Sequence, residues 1–194
     1  MKNSVKRGSL FVISGPSGVG KGTLVEMVRK NHPLIALSIS ATTRKPRPGE
    51  INGVHYFFLT RKEFEIRIEL GEFIEWSEFA GNLYGTNRKF VEKILEEGHS
   101  LILEIDVRGA LQVKSKMKEA VLIFIDAPSL DELRKRLFKR STESEEEIQN
   151  RLAIVKSELE KKHEFSYVVL NDNIGSAYKN IETIVLKELN KVNK

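Results

Sequence analysis

Leu10-Phe11-Val12-Ile13-Ser14-Gly15-Pro16-Ser17-Gly18-Val19-Gly20-Lys21-Gly22-Thr23 passes from a short apolar run into a glycine-rich loop that carries one lysine. Leu24-Val25-Glu26-Met27-Val28 follows and reads as the start of a helix. The run nearly fits the phosphate-loop pattern of a glycine, four residues, then Gly-Lys-Ser/Thr. A loop between strand and helix turns several backbone N–H groups toward one anion, and the helix N-terminus adds partial positive charge. Gly15, Gly18 and Gly20 permit backbone angles and close approaches that side chains would forbid. Lys21 places a point charge beside the outer phosphates. Gly22 departs from the pattern, standing where a hydroxyl is expected, and Thr23 follows at once to supply one. A plain glycine-rich turn would not bring strand, loop, lysine and helix into register.

The chain has 194 residues, enough for one domain with small lobes and a substantial core. Charged residues make up 30% and hydrophobic ones 40%, as in soluble globular proteins. No apolar run is long enough to span a bilayer. Lys2, Lys6 and Arg7 precede too few apolar residues to make a signal-peptide core. With no cysteine there is neither a disulfide framework nor a thiolate zinc site, and the expected compartment is the cytoplasm. The net charge of +5 suits either nucleic acid or small phosphorylated ligands, and the placement of the charges decides between them.

Leu101–Asp106, Val121–Asp126 and Tyr167–Leu170 read as further buried parallel strands, each followed by a helix pattern. Ser129 with Glu132 forms a capping box for one of these helices. Another carries Ile148, Leu152, Val155 and Leu159 on one face. Strands alternating with helices predict a doubly wound α/β fold with a mainly parallel sheet. Residues 38–90 break the alternation. They read as an inserted lobe of short antiparallel strands with a helix near Arg61–Leu70, capped by Thr60 and Glu63 and ended by Gly71. The charged stretch Arg134–Arg151 is a second insertion. The core is then 1–37, 91–133 and 152–194, the lobe 38–90 and the second insertion about 134–151.

Arg44, Lys45 and Arg47 cluster in the lobe, with Pro46 and Pro48 stiffening their loop. Arg134, Lys135, Arg136, Lys139, Arg140 and Arg151 gather in the second insertion. Solvated basic faces account for Lys135 and Lys139. They account less well for Arg44 and Arg47, because arginine meets phosphate in a two-point geometry that lysine cannot match. Nucleic-acid binding would show a basic stripe with exposed aromatics for stacking. Here the clusters flank one phosphate loop, so several phosphates meet in one place, as phosphoryl transfer between two nucleotides requires.

Along nearly its whole length the chain resembles the guanylate kinases, a nucleoside monophosphate kinase family. The resemblance rests on an ordered set of segments after the loop: 38–50 (SISATTRKPRPGE), 53–58 (GVHYFF), 72–76 (EFIEW), 81–86 (GNLYGT), 106–110 (DVRGA), 140–143 (RSTE), and Asn171-Asp172. The Gly-Lys-Gly-Thr ending of the loop also resembles that of some nucleoside monophosphate kinases. The resemblance implies a P-loop kinase core, a GMP-binding lobe, a helical lid, ATP as donor and Mg2+ as cofactor. GMP and ATP are the implied partners, without nucleic acid or membrane. By resemblance, Gly15, Pro16, Ser17, Gly18, Val19, Gly20, Lys21, Gly22 and Thr23 would cradle ATP, with Arg136 from the lid and Asn171 near adenine. Ser40, Arg44, Arg47, Tyr56 and Tyr84 would hold the GMP phosphate, Glu75 and Thr86 would read guanine, and Glu104 and Asp106 would complete the GMP side. Lys21, Arg44, Arg140 and Arg151 would neutralise the transferring group. Thr23 and Asp106 are the candidate magnesium ligands, Asp106 because it ends an apolar strand as a metal- or water-binding aspartate would. Thr86 replaces a frequent serine, Glu104 a frequent aspartate, Arg108 a common glutamine and Ser166 a common aspartate. The other function class is a catalytically inactive guanylate-kinase-like module that grips a phosphopeptide. Lys21 and the second-insertion arginines speak against it.

Overall fold

The computed structural model of the chain describes residues 6–140 and 145–192, with the side chains of 137–151 outside the description. Strand β1 (Leu10–Ser14) lies at the middle of a five-stranded sheet. Strands β2 (Ala36–Leu37) and β7 (Leu101–Glu104) lie on one side of it, β8 (Val121–Asp126) and β9 (Tyr167–Leu170) on the other. Every pairing in this sheet is parallel. Such strands are covered on both faces and read as continuous apolar runs. β1 shows why. Phe11 and Ile13 enter a core with Leu24, Val25 and Val28 of helix α1 (Lys21–Asn31). Val155 of α6 (Glu145–Glu160) and Ile181 and Val185 of α7 (Ile174–Val192) belong to the same core. Leu10 and Val12 enter the opposite core with Val91 and Leu95 of α3 (Arg88–Glu96) and Ala110 and Val113 of α4 (Val107–Lys116). Successive side chains of a strand point to opposite faces, so one short run anchors two layers.

The remaining strands form a second sheet, in the order β4 (Phe57–Phe58), β3 (Ala41–Thr42), β6 (Asn82–Asn87), β5 (Phe73–Phe79). Here the expectation of antiparallel strands is corrected. β3 pairs antiparallel with β6 but parallel with β4, because the chain returns from β3 through the long Arg44–Tyr56 loop rather than a tight hairpin. β5 and β6 do form a hairpin, turned at Ala80-Gly81, and its register sets Glu75 opposite Thr86. Helix α2 (Arg61–Glu69) begins at Thr60 with both halves of the capping box and stops at Gly71, whose N–H returns to the Ile68 carbonyl. Phe64 of α2 stacks on Phe73 with ring centroids 4.4 Å apart, at the heart of a small separate core.

β5 is the outer strand of this sheet, and α4 covers it. The Gln112 amide accepts from the Trp76 N–H at 3.2 Å and donates to the Trp76 carbonyl at 2.7 Å, as a neighbouring strand would. Lys116 donates to the Ile74 carbonyl. The charged stretch 134–151 is the end of α5 (Leu130–Arg140) and the start of α6, with residues 141–144 outside the described ones. Ser129 caps α5 by accepting the Glu132 N–H. Among the described residues no helix is long and apolar enough to cross a membrane.

Phe64 is fully buried in a core of few residues. Phe64→Ala therefore removes ~3–5 kcal/mol of stability. Urea unfolding followed by Trp76 fluorescence, which reports on the second sheet, should show this loss. A midpoint equal to that of the parent would refute the packing role.

Candidate active site

The loop after β1 is wound around its own lysine. The Lys21 ammonium donates to the Gly15 carbonyl at 2.6 Å and to the Pro16 carbonyl at 3.1 Å. Gly15, Gly18 and Gly20 all have positive φ, 143°, 83° and 97°. Gly20 stands at the N-cap of α1, where no side chain caps the helix. The first helical N–H groups are thus left for an anion. Val19 packs into the core below. Asn171 is buried, and its amide donates to the Val19 carbonyl at 2.8 Å. It braces the loop from behind.

The ends of β1 and β7 open onto a cleft of about 210 Å3 that reaches across to the second sheet. Gly15, Ser17 and Lys21 line its loop side, and Ser40, Tyr56, Glu75 and Tyr84 its far side. Glu104 and Asp106 stand between. A cleft outside the carboxyl ends of parallel strands, where the strand order reverses, is the usual ligand position in such sheets. Eight of the expected side chains therefore converge from distant parts of the sequence.

Glu75 is buried at the floor of this cleft, and the Thr86 hydroxyl donates to its Oε1 at 2.5 Å. Burial pushes the Glu75 carboxyl up to about 7, against the opposing pull of Thr86. Gly109 lets the carboxylate pass. A Cβ there would stand under 3.0 Å from Oε2. Ser77, two residues along the same strand, donates to Asp106 Oδ2 at 2.5 Å. The other Asp106 oxygen accepts the Gly109 N–H at 2.7 Å. Asp106 is thus the N-cap of α4 and not the end of a strand, so the ground on which it was expected to hold a metal is corrected. Glu104 is open to the cleft yet crowded enough that desolvation raises its carboxyl above the ordinary range, with Lys21 opposing. Its oxygens lie over Gly22, where a Cβ would come within 3.4 Å of Oε1.

Arg44, expected to hold the GMP phosphate, is itself held by the lobe. Its Nη1 and Nη2 donate to the two oxygens of Glu50 at 2.9 and 2.8 Å, and Nη1 also donates to the Lys45 carbonyl at 2.8 Å. This pairing holds the Glu50 carboxyl down at about 2. The guanidinium also hydrogen-bonds the Tyr84 side chain, so most of its five N–H donors are already engaged within the lobe. Tyr56 lies beneath the guanidinium, 5.4 Å from ring centroid to Cζ. Tyr84 meets Tyr56 edge-on at 6.2 Å. Arg47 is exposed beside this pair, its backbone N–H on Glu50. Arg136 pairs with Glu132 of its own helix at 3.1 Å. Arg140 and Arg151 have side chains outside the described ones. Thr23 is exposed at the mouth of α1, next to Gly22 and Glu104 in an outer recess of the loop.

Two polar cleft residues escaped the reading of the sequence. Ser77 had a signal, since residues i and i+2 of a strand share a face. Glu158 of α6 also reaches the cleft and takes a hydrogen bond from the Ser17 backbone N–H. Burial raises it to about 7, with Lys21 opposing. Its signal was an acid three residues after Val155, at the margin of the apolar stripe. Lys21 in turn is lowered by burial, while Glu158, Glu104 and Asp106 pull it back up, in that order. Among the described residues no group of three or more acidic or histidine side chains is arranged to hold a metal ion on its own.

A central parallel sheet, a phosphate loop after its middle strand and a facing lobe with a buried carboxylate define a phosphate-loop nucleotide-binding protein. The family model described as guanylate kinase matches residues 7–188, and the chain belongs to that family. It is 50% identical over 181 residues to the guanylate kinase of Desulfitobacterium hafniense (strain Y51), covering 93% of this chain and 90% of the relative. It is 51% identical over 173 residues to that of Rubrobacter xylanophilus, covering 89% and 91%. The crystal structure of guanylate kinase from Anaplasma phagocytophilum is similar with a TM-score of 0.77 at 34% identity, covering 95% of this chain and 87% of that one.

The raised carboxyl of Glu75 carries a pH signature. Its folded value near 7 lies above its ordinary 4.5, so between these the folded chain binds more protons than the unfolded one. The contribution of this group to stability is complete below about pH 4.5 and is lost as pH climbs through 7. Denaturation midpoints from pH 5 to pH 8 should fall less for Glu75→Gln than for the parent. Parallel curves would show that Glu75 is ionised throughout.

Proposed function

We propose that this chain transfers the γ-phosphoryl group of ATP to GMP, giving ADP and GDP, and that it accepts dGMP because no residue singled out reads the 2′-hydroxyl. The observation that carries this reading is one cleft shared by a phosphate loop and a buried Glu75–Thr86 pair. Guanine presents N1–H and its 2-amino group as adjacent donors, and a carboxylate accepts from both. Adenine would turn its N1 lone pair toward the same oxygen, and a buried mispaired group gives strong discrimination. Thr86 holds the carboxylate through both its hydroxyl and its backbone N–H and fixes its plane toward the base.

The second pKa of a phosphate monoester lies near 6, so the attacking phosphate of GMP is already ionised and needs no general base. The obstacle is repulsion between two anions, and catalysis is positioning with charge neutralisation. Lys21 and the open N-terminus of α1 serve the donor phosphates. Arg44 brings its positive charge to the acceptor phosphate from a mount fixed by Glu50, with Ser40, Arg47, Tyr56 and Tyr84 around it. We assign Arg140 and Arg151 to the transferred group from a lid at about 134–151, which closes over the 38–90 lobe and the core and excludes water. The oxygen donors at the loop mouth suit a hard cation that keeps several waters. Thr23 would hold Mg2+ there, with Glu104 or Asp106 through water, and the ion would offset charge on the donor phosphates. The ligands of the chain are then free nucleotides and not nucleic acid.

ADP formation should be measured with GMP, AMP, UMP or CMP as acceptor, beside a control without acceptor. Rapid turnover is expected with GMP alone. Equal turnover with AMP would overturn the role of Glu75, and none with any acceptor would overturn the enzyme reading. Lys21→Ala and Arg151→Ala should each lower kcat on the order of a thousandfold while the thermal transition is kept. Near-parental kcat in either would remove that residue from the mechanism.

A further inference from the structure

Glu158 is an acid in a place that must accept polyanions. It comes from α6, far along the chain from the loop it touches, and lines the cleft with Gly15, Ser17, Lys21 and Asp106. Its carboxylate takes the Ser17 backbone N–H, a donor that belongs to the phosphate loop. Of the three carboxylates acting on Lys21, Glu158 acts most strongly. Yet the fit is incomplete. Oε2 is sealed from solvent and has no hydrogen-bond partner among the described residues. The other charges that Glu158 feels are Asp106, which opposes its ionisation, and Arg108, which favours it. A carboxylate seated for structural reasons alone would be expected to satisfy both oxygens.

We propose that Glu158 is a built-in competitor for the phosphate loop: its carboxylate and the terminal phosphate of a nucleotide claim the same Ser17 N–H, in the field of the same Lys21 ammonium. This rests on the phosphotransferase reading given above. Both anions cannot stay in that place, because like charges in a partly desolvated cleft repel. Phosphate binding is therefore coupled to withdrawal of Glu158. Since Glu158 is carried by α6, the same helix that begins at Glu145, anion arrival at the loop is felt as a displacement of that helix. The competition lowers apparent affinity by the fraction of molecules in which the loop is free. It makes the loop selective for ligands with enough negative charge to displace a carboxylate.

The test compares the parent with Glu158→Gln, which keeps shape and loses charge, and with Glu158→Ala. Calorimetry would measure binding of inorganic pyrophosphate, ADP and guanosine to each. Pyrophosphate and ADP are expected to bind about tenfold more tightly to Glu158→Gln, as for a loop about one-tenth free in the parent. Glu158→Ala should move in the same direction. Guanosine has no phosphate, so its affinity should be unchanged, and it also reports a folded lobe. Equal or weaker pyrophosphate binding by a Glu158→Gln protein that still binds guanosine would show a supporting rather than a competing role, and overturns the proposal. Failure of the parent itself to bind pyrophosphate and ADP overturns the proposal together with the phosphotransferase reading.

Discussion

The turn of the phosphate loop around the Lys21 ammonium is the interaction on which the rest of the site depends. Two loop carbonyls, of Gly15 and Pro16, point inward at the lysine. Backbone N–H groups alternate with carbonyls along a chain, so a loop that spends its carbonyls inward has its amides to spend on a ligand. The constraint spreads from there. β1 must end where the loop begins, Val19 must plug the core, and Asn171 after β9 must meet the Val19 carbonyl. The middle strand and an edge strand of the sheet are thereby committed to one small turn.

The far wall of the cleft is built by a different rule. Glu75 and Thr86 face each other because a hairpin register places them opposite, and burial then makes their hydrogen bond matter. An exposed carboxylate would accept from water as readily as from a base. Desolvated and oriented, it has few ways to be satisfied, and that is the physical content of selectivity. The cost of such burial is visible in the raised carboxyl of Glu75 itself.

The parallel core was legible because both faces of its strands are apolar, which leaves an unbroken signature in runs such as Val121–Ile125. Helix α2 was legible because its capping box and its stop lie within the helix's own neighbourhood. The facing lobe was harder. The parallel pairing of β3 with β4 depends on how a long loop returns, which no local pattern encodes. The residue types of the site could be read, and the commitments between them could not. Arg44 and Glu50 are six positions apart, and only the folded loop shows that they form a fork. Asp106 looked like the end of a strand because its apolar neighbours continue to Ile105, whereas the helix it caps begins one residue later. Asn171 and Glu158 reach the loop from the last third of the chain, and sequence distance hides such contacts altogether.

The Gln112 amide on the Trp76 backbone has a consequence outside catalysis. β5 is the outermost strand of its sheet, and an open strand border is a template on which another polypeptide can add itself. By imitating one peptide unit, Gln112 occupies the middle of that border with a side chain of the same molecule, and Lys116 covers the carbonyl of Ile74 beside it. The chain closes this border with side chains of its own, so protection against strand addition is built into the packing of α4 on β5.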